Sequence, residues 1–209
     1  MSADRPPKQA GQSDRMRFLR SFIRHPRQVG SVIPTSRRAV RAMLDLVALE
    51  DARCVVEMGA GTGPHTREIL ARLGPDARFL AFEIDPVLAD GLRRELPDPR
   101  LEVITDSAEN IASYLDGGRA DVVVSAVPFT SLPEKVRRGL LDAGRDNLAD
   151  DGTMLVLQYS PFMRSQLERA FGSVEWRLVP YNVPPAFLFA CRAGSAATVN
   201  GSRSPRDAG

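Results

Sequence analysis

The chain has little that could cross-link it or carry it through a bilayer. Its 209 residues include only two cysteines, Cys54 and Cys191, both inside stretches that read as strands. Buried thiols of this kind point to a reducing cytoplasm and exclude the disulfide framework of a small secreted domain; no metal centre is expected. Lysine is nearly absent: Lys8 and Lys135 are the only two among 28 basic residues, so arginine carries the positive charge. No apolar run approaches the roughly 20 residues needed to cross a bilayer. The polar start, Met1 to Gly11, leads into no apolar stretch of a secretory signal. These absences leave a cytoplasmic chain that is soluble or meets membranes only at their surface. Its length suits one domain with extensions.

What is present is unevenly spread. Ten of the 28 bases but only two of the 26 acids lie between Met1 and Arg41. That segment carries a net charge of +8 against −6 for the remainder, which suggests a polyanionic partner, nucleic acid or anionic lipid. Its pattern is also amphipathic. A helix over 14–25 places Met16, Phe18, Leu19, Phe22 and Ile23 on one arc, with Arg17, Arg20, Arg24 and His25 opposite, before Pro26 stops it. At about 18 Å this helix is too short to persist alone in water, so it must dock. It either packs on its own domain or lies in an anionic lipid interface, phenylalanines inserted and arginines at headgroup level. A second amphipathic helix, over 36–47, carries Val40, Met43, Leu44 and Val47 at core spacing.

The most informative stretch follows. Arg53-Cys54-Val55-Val56 reads as a buried strand, and Glu57-Met58-Gly59-Ala60-Gly61-Thr62-Gly63 as a tight turn where backbone can approach a ligand closely. Pro64 suits the first position of the next helix, and it stands where a Gly-x-Gly-x-x-Gly dinucleotide pattern needs its third glycine. The second strand, Arg78 to Glu83, ends in a carboxylate twenty residues beyond Gly63, a spacing at which nucleoside-binding βαβ units hold ribose hydroxyls. Asp85-Pro86 then opens a helix. A third strand, Leu101 to Thr105, runs into Asp106-Ser107-Ala108, and a fourth, Asp121 to Ser125, into Ala126-Val127-Pro128-Phe129.

The acidic residue before the glycines and the acids closing the next two strands resemble the class I S-adenosylmethionine-dependent methyltransferases. The resemblance implies a bound S-adenosyl-L-methionine, left as S-adenosyl-L-homocysteine, held by Glu57, Gly59, Ala60, Gly61, Thr62, Gly63, Glu83, Ile84, Asp106, Ser107, Ala108 and Ser125. A narrower likeness rests on three further stretches. Gly30-Ser31-Val32-Ile33-Pro34-Thr35-Ser36 follows the basic helix, Gln158-Tyr159-Ser160-Pro161 follows the fifth strand, and Asn182-Val183-Pro184-Pro185-Ala186 joins the last two. With Ser125-Ala126-Val127-Pro128-Phe129 these look like the bacterial phospholipid N-methyltransferases, which methylate phosphatidylethanolamine toward phosphatidylcholine, with relatives acting on ornithine lipids. The fourth motif carries Val127 and Phe129 where the family has leucines. The likeness runs from about Arg17 to Arg192. It implies a monomer bound peripherally to the inner face of the cell membrane through the N-terminal helix, with a phospholipid acceptor and no nucleic acid.

The rival within the superfamily is rRNA adenine dimethyltransferase. Those enzymes have Asn-x-Pro-aromatic at the fourth strand, where this chain has Ser125, and a helical RNA-binding domain that the polar tail after Arg192 does not resemble. A small-molecule amine methyltransferase and a non-catalytic adenosyl-binding regulator also share the fold. For the lipid reading, Tyr159, Phe129, Pro128 and Ser125 are the expected reaction-site residues, Tyr159 as hydrogen-bonder or cation–π partner of the headgroup and Phe129 as a second aromatic face. His65 is expected to meet cofactor or solvent, and Arg37 and Arg38 to hold lipid phosphate or a solvated helix face.

The alternation of patterns predicts an α/β, Rossmann-like class I methyltransferase fold. Seven strands near 53–58, 78–84, 100–105, 120–126, 152–159, 174–180 and 185–192 give five parallel strands and a C-terminal antiparallel hairpin. Helices are expected near 64–73, 86–95, 107–115, 132–147 and 161–171 besides the two N-terminal ones, with a capping box at Ser131-Leu132-Pro133-Glu134. The division is a disordered 1–13, a basic helical extension over 14–50, a catalytic domain over 51–192 and a disordered tail over 193–209. Removal of residues 1–25 is expected to abolish binding to anionic vesicles in a flotation assay while leaving the core folded; unchanged binding refutes the interfacial helix.

Overall fold

Valine-rich strands buried on both faces need helices above and below them, and that demand organises the molecule. The computed structural model describes residues 35–193; the sequence-predicted helix over 14–25, with Arg17, Phe18, Arg20, Phe22 and Arg24, lies outside the described residues, as do 1–13 and 194–209. The elements in order are α1 (Arg37–Leu44), β1 (Cys54–Met58), α2 (Pro64–Leu70), β2 (Arg78–Phe82), α3 (Pro86–Glu95), β3 (Leu101–Ile104), β4 (Ala120–Ser125), α4 (Glu134–Asp146), β5 (Leu148–Gln158), α5 (Arg164–Ala170), β6 (Ser173–Val179) and β7 (Ala186–Arg192).

The seven strands form one sheet in the order β3-β2-β1-β4-β5-β7-β6. The first five are parallel, while β7 runs antiparallel to both β5 and β6, as expected. Alternation along each strand sends side chains into two cores. Val56, Met58, Leu80, Phe82, Val123 and Val156 face Ile111, Leu140, Leu141 and Leu167. Val55, Phe79, Ala81, Val122, Val124, Leu155 and Leu157 face Val40, Met43, Leu44, Ile69 and Leu92 of α1, α2 and α3. Helix α1 is thus part of the domain, its entry capped by Ser36, whose hydroxyl accepts from the Ala39 amide. Among the described residues no helix is long and apolar enough to cross a membrane.

Three expected elements differ. The capping box does not form: Ser131 ends a 3₁₀ turn (Phe129–Ser131), and α4 starts at Glu134 behind Pro133 with no side-chain cap. Leu132, preceding a proline, is extended, which parts Ser131 from the helix. The expected helix over 107–115 is 3₁₀ from Ala108 to Tyr114, and this tighter winding returns the Tyr114 hydroxyl to Asp106 at 2.9 Å. Strand β5 begins at Leu148, with a register shift against β4 that accommodates the exposed Asp150 and Asp151, which read as a turn. Leu155 is fully buried on β5; Leu155→Ala is expected to lower unfolding free energy by about 2–5 kcal/mol, read as a lower urea midpoint.

Candidate functional site

Strand order reverses between β1 and β4, which leaves a crevice at their carboxyl ends. The glycine turn fills its floor. Gly59, Gly61 and Gly63 have φ of 77°, 58° and 83°, a region costly for other residues. The Gly59 and Ala60 amides both donate to the Phe82 carbonyl, at 2.9 and 3.0 Å, which ties the turn to β2. Gly63 also has a packing reason: a Cβ there would lie 2.5 Å from Leu92 of α3. Gly61 is different, because a Cβ there would meet open space. Its requirement is conformational, and its open side is free for a ligand to approach. Thr62 is exposed at the crest of the turn, and its carbonyl accepts from Arg67.

Three carboxylates surround this turn. Glu83 is buried, its two oxygens accepting from the Gly61 amide at 2.8 Å and the Asp85 amide at 2.7 Å. Burial raises its carboxyl above the usual carboxylate range, the two amides pulling the other way. Glu57 accepts from the Thr66 hydroxyl at 2.7 Å through one oxygen, while Oε1 has no partner among the described residues. Burial pushes its carboxyl up to about 7, opposed by Thr66 and reinforced by the charge of Glu83. Asp106 accepts from the Ser107 amide at 2.8 Å and from Tyr114. A partly open crevice is lined by Gly59, Phe82, Glu83, Ile84, Asp106, Ser107, Ala108, Val127 and Leu140. Its walls are mostly apolar and its acids sit at one rim, an arrangement suited to a flat, polar-edged ring. The unpartnered buried oxygen of Glu57, at the end of β1, favours a cation, which would restore its charged form.

Of the residues expected to hold cofactor, Gly59, Glu83, Ile84, Asp106, Ser107 and Ala108 line this crevice, Glu57, Ala60, Gly61, Thr62 and Gly63 belong to the end of β1 and the turn after it, and Ser125 is fully buried and accepts from the Val127 amide at 3.4 Å. Pro128 is exposed after β4. Phe129 is a correction: it is fully buried in the core, so its ring offers no face to a headgroup. Tyr159 is half-buried and its hydroxyl lies 2.6 Å from that of Thr35. Of the two partners expected for His65, solvent is excluded: it is buried, its Nε2 has no partner among the described residues, and burial lowers its pKa to about 4. Arg37 is not a free phosphate ligand either, because its guanidinium donates to Glu68 at 2.8 Å alongside Arg41 at 2.9 Å. Arg38 lies over the Tyr181 ring, 5.4 Å from its centroid.

Several contacts were not legible in the chain. Thr35 bonds Tyr159, the Ser36 amide donates to Asn182 Oδ1 at 3.3 Å, and Gln158 Nε2 donates to the Val127 carbonyl at 2.7 Å. Three stretches far apart in the sequence thereby meet at one end of the sheet. The pairing of Arg37 and Arg41 with Glu68 had a signal: two arginines four apart share a helix face and can grip one carboxylate.

A family profile described as a methyltransferase domain matches residues 55–152. The ornithine lipid N-methyltransferase of Singulisphaera acidiphila is 33% identical over 180 residues, 84% of this chain and 94% of that protein. A ribosomal RNA small subunit methyltransferase H of Flavobacterium johnsoniae is 35% identical over 99 residues, 44% of this chain and 32% of its own length. Among solved structures, a precorrin-6y C5,15-methyltransferase from Geobacter metallireducens superposes with a TM-score of 0.62 at 18% identity, over 79% of this chain and 92% of that one. A T. thermophilus 16S rRNA methyltransferase in complex with AdoMet and guanosine gives 0.58 at 20% identity, over 78% and 44%. At these identities the solved structures speak for the fold.

The two buried titratable groups beside the turn oppose each other in their effect on stability. Between 4.5 and about 7 the Glu57 carboxyl ionises in the unfolded chain but stays neutral when folded, so stability falls as pH rises. Between 6.5 and about 4 the His65 ring protonates only when unfolded, so stability falls as pH drops. The contributions of Glu57 and His65 therefore largely offset each other across that window. Glu57→Gln is expected to unmask a rise with pH of up to about 3 kcal/mol, less the opposite slope from Glu83, and His65→Asn a fall of about the same size. Urea denaturation as a function of pH measures both; parallel profiles for all three proteins refute the assignment.

Proposed function

Because the chain belongs to the family of the ornithine lipid N-methyltransferase, within the S-adenosylmethionine-dependent methyltransferases, we propose that it methylates the amine nitrogen of a membrane lipid headgroup. The observation that carries this reading is the extent of the relation: it spans 94% of the lipid enzyme but only 32% of the ribosomal RNA enzyme. A match confined to part of a relative reflects the shared donor-binding half of the fold, whereas a match along the whole chain includes the half that meets the acceptor. Phosphatidylethanolamine, converted stepwise toward phosphatidylcholine, and an ornithine lipid are the two acceptor classes.

S-adenosylmethionine is the methyl donor, and it supplies a methyl group already activated on a sulfonium. The residues present fit it. Glu57 offers a buried oxygen lacking a partner, Gly61 an open approach, and Glu83 and Asp106 acceptors at the rim of the cavity. The chain's own work is then positional, because in-line alignment of an amine with an activated methyl accounts for much of the barrier. Pro128 and Tyr159 stand at the exits of β4 and β5, on the acceptor side of the crevice. The Thr35 contact holds the Tyr159 hydroxyl, so the ring is fixed in place to receive a cationic headgroup on its face.

Purified full-length protein given labelled methyl donor is expected to label phosphatidylethanolamine or ornithine-lipid vesicles and to leave ribosomal RNA unlabelled. Extraction and mass spectrometry of lipids from an expression host without methylated phospholipids identifies the headgroup. Label in RNA alone reverses the reading.

A further inference from the structure

Soluble domains hide most of their large apolar side chains, so those that stay outside in a cluster carry information. Among the described residues six large apolar side chains are exposed, and five of them belong to one region: Phe162, Trp176, Leu178, Tyr181 and Val183. Their exposures reach 79% for Phe162 and 80% for both Tyr181 and Val183, values that no core or helix contact accounts for.

The register places them together. Gln158 pairs with Phe187 and Phe187 with Leu178, so the end of β5, the start of β7 and the end of β6 lie at one level. Phe162 follows β5 directly, and Tyr181 and Val183 form the turn between β6 and β7. This level is the carboxyl end of the parallel strands, the end that bears the glycine turn, Glu83 and Asp106. Those residues occupy the β1-β2-β3 half, which leaves the β4-β5-β7-β6 half for the acceptor.

The charge left unpaired beside the Tyr181 turn is positive. Arg38 lies over the Tyr181 ring, and no carboxylate among the described residues pairs with it. Arg164 lies 5.3 Å from the Trp176 ring centroid. Arg164 is itself paired with Glu168 at 2.7 Å and Arg192 with Glu175 at 2.6 Å, so of these three Arg38 is the cation left to meet a phosphate there. Aromatic rings topped by arginines, with apolar neighbours exposed, suit the boundary between headgroups and acyl chains. Thr35 and Ser36 reach the same end, through Tyr159 and Asn182.

We propose that the rim made by Phe162, Leu178, Tyr181 and Val183, with Arg38 and Arg164 beside it, is a membrane-contact site that seats on an anionic phospholipid surface. It is separate from the segment over 14–25 that the sequence predicts to be an interfacial helix, and it deepens the lipid-acceptor reading on which it rests. A single short interfacial element binds membranes marginally and reversibly, whereas two give stable attachment. Two separated contacts also fix orientation: with the rim seated, the carboxyl end of the sheet faces the bilayer, and a headgroup reaches the crevice without leaving its leaflet.

The test uses the full chain and phosphatidylglycerol-containing vesicles, with flotation as the readout. Tyr181→Ser combined with Val183→Ser, and separately Phe162→Ser, are expected to lower vesicle partition about tenfold or more, with S-adenosylmethionine affinity and thermal midpoint unchanged. These positions are exposed, so the variants keep the fold; Arg38→Gln, the second kind of variant, is expected to lose partition on anionic vesicles and not on neutral ones. Unchanged partition in the folded variants, no partition by the wild type, or retention of RNA in place of vesicles each overturns the proposal. Partition is scored without turnover. A wild type that labels no lipid, even short-chain phosphatidylethanolamine offered as dispersed monomers, defeats the acceptor reading independently of the rim.

Discussion

The Glu83 carboxylate, held between the amides of Gly61 and Asp85, is the joint on which the donor side of the molecule depends. One oxygen fixes the apex of the glycine turn after β1, and the other fixes the residue that caps α3. A buried carboxylate is costly unless hydrogen-bonded, and here the amides that compensate it belong to the two segments that must be kept in register. The Phe82 carbonyl, accepting from Gly59 and Ala60, repeats the connection one residue earlier. Polar groups at the ends of β1 and β2 thus do for the crevice what valine and leucine do for the sheet behind it.

Glu57 is the counterpart that remains incomplete. Its Thr66 contact satisfies one oxygen, its other oxygen is buried without a partner, and its carboxyl is raised to about 7. A domain tolerates such a group where a ligand completes it. His65 sits buried in the same first turn of α2 and is kept neutral. Strain of this electrostatic kind at a strand end is expected of a binding site and unexpected of a purely structural turn.

The other half of the strand-end region is assembled differently, from segments that are remote in sequence. Thr35 and Ser36, Gln158 and Tyr159, and Asn182 converge through single hydrogen bonds. The donor half was readable because each of its functional residues follows its own strand, at a spacing set by βα geometry. The other half is distributed over the entrance to α1, the exit of β5 and the β6–β7 turn, and no local pattern links those. Phe129 shows the same limit: an aromatic after a strand end reads equally as a ring for a ligand or a plug for the core, and the packing of Ile111, Leu140 and Met163 makes it a plug. Arg37 reads as a surface cation until Glu68 is placed beside it.

The order of amino acids by itself determined the seven strands, their parallel and antiparallel senses, and the glycine turn with its three acids, because periodicity, β-branching and positive-φ requirements are local properties. It also determined the charge asymmetry between the first 41 residues and the rest. Only the tertiary structure decided which polar atoms remain unsatisfied, that the group-specific stretches share one end of the sheet, and which apolar side chains stay outside. Those outcomes depend on burial and on contacts between residues more than a hundred positions apart, such as Thr35 with Tyr159, and such contacts exist only once the chain has closed on itself.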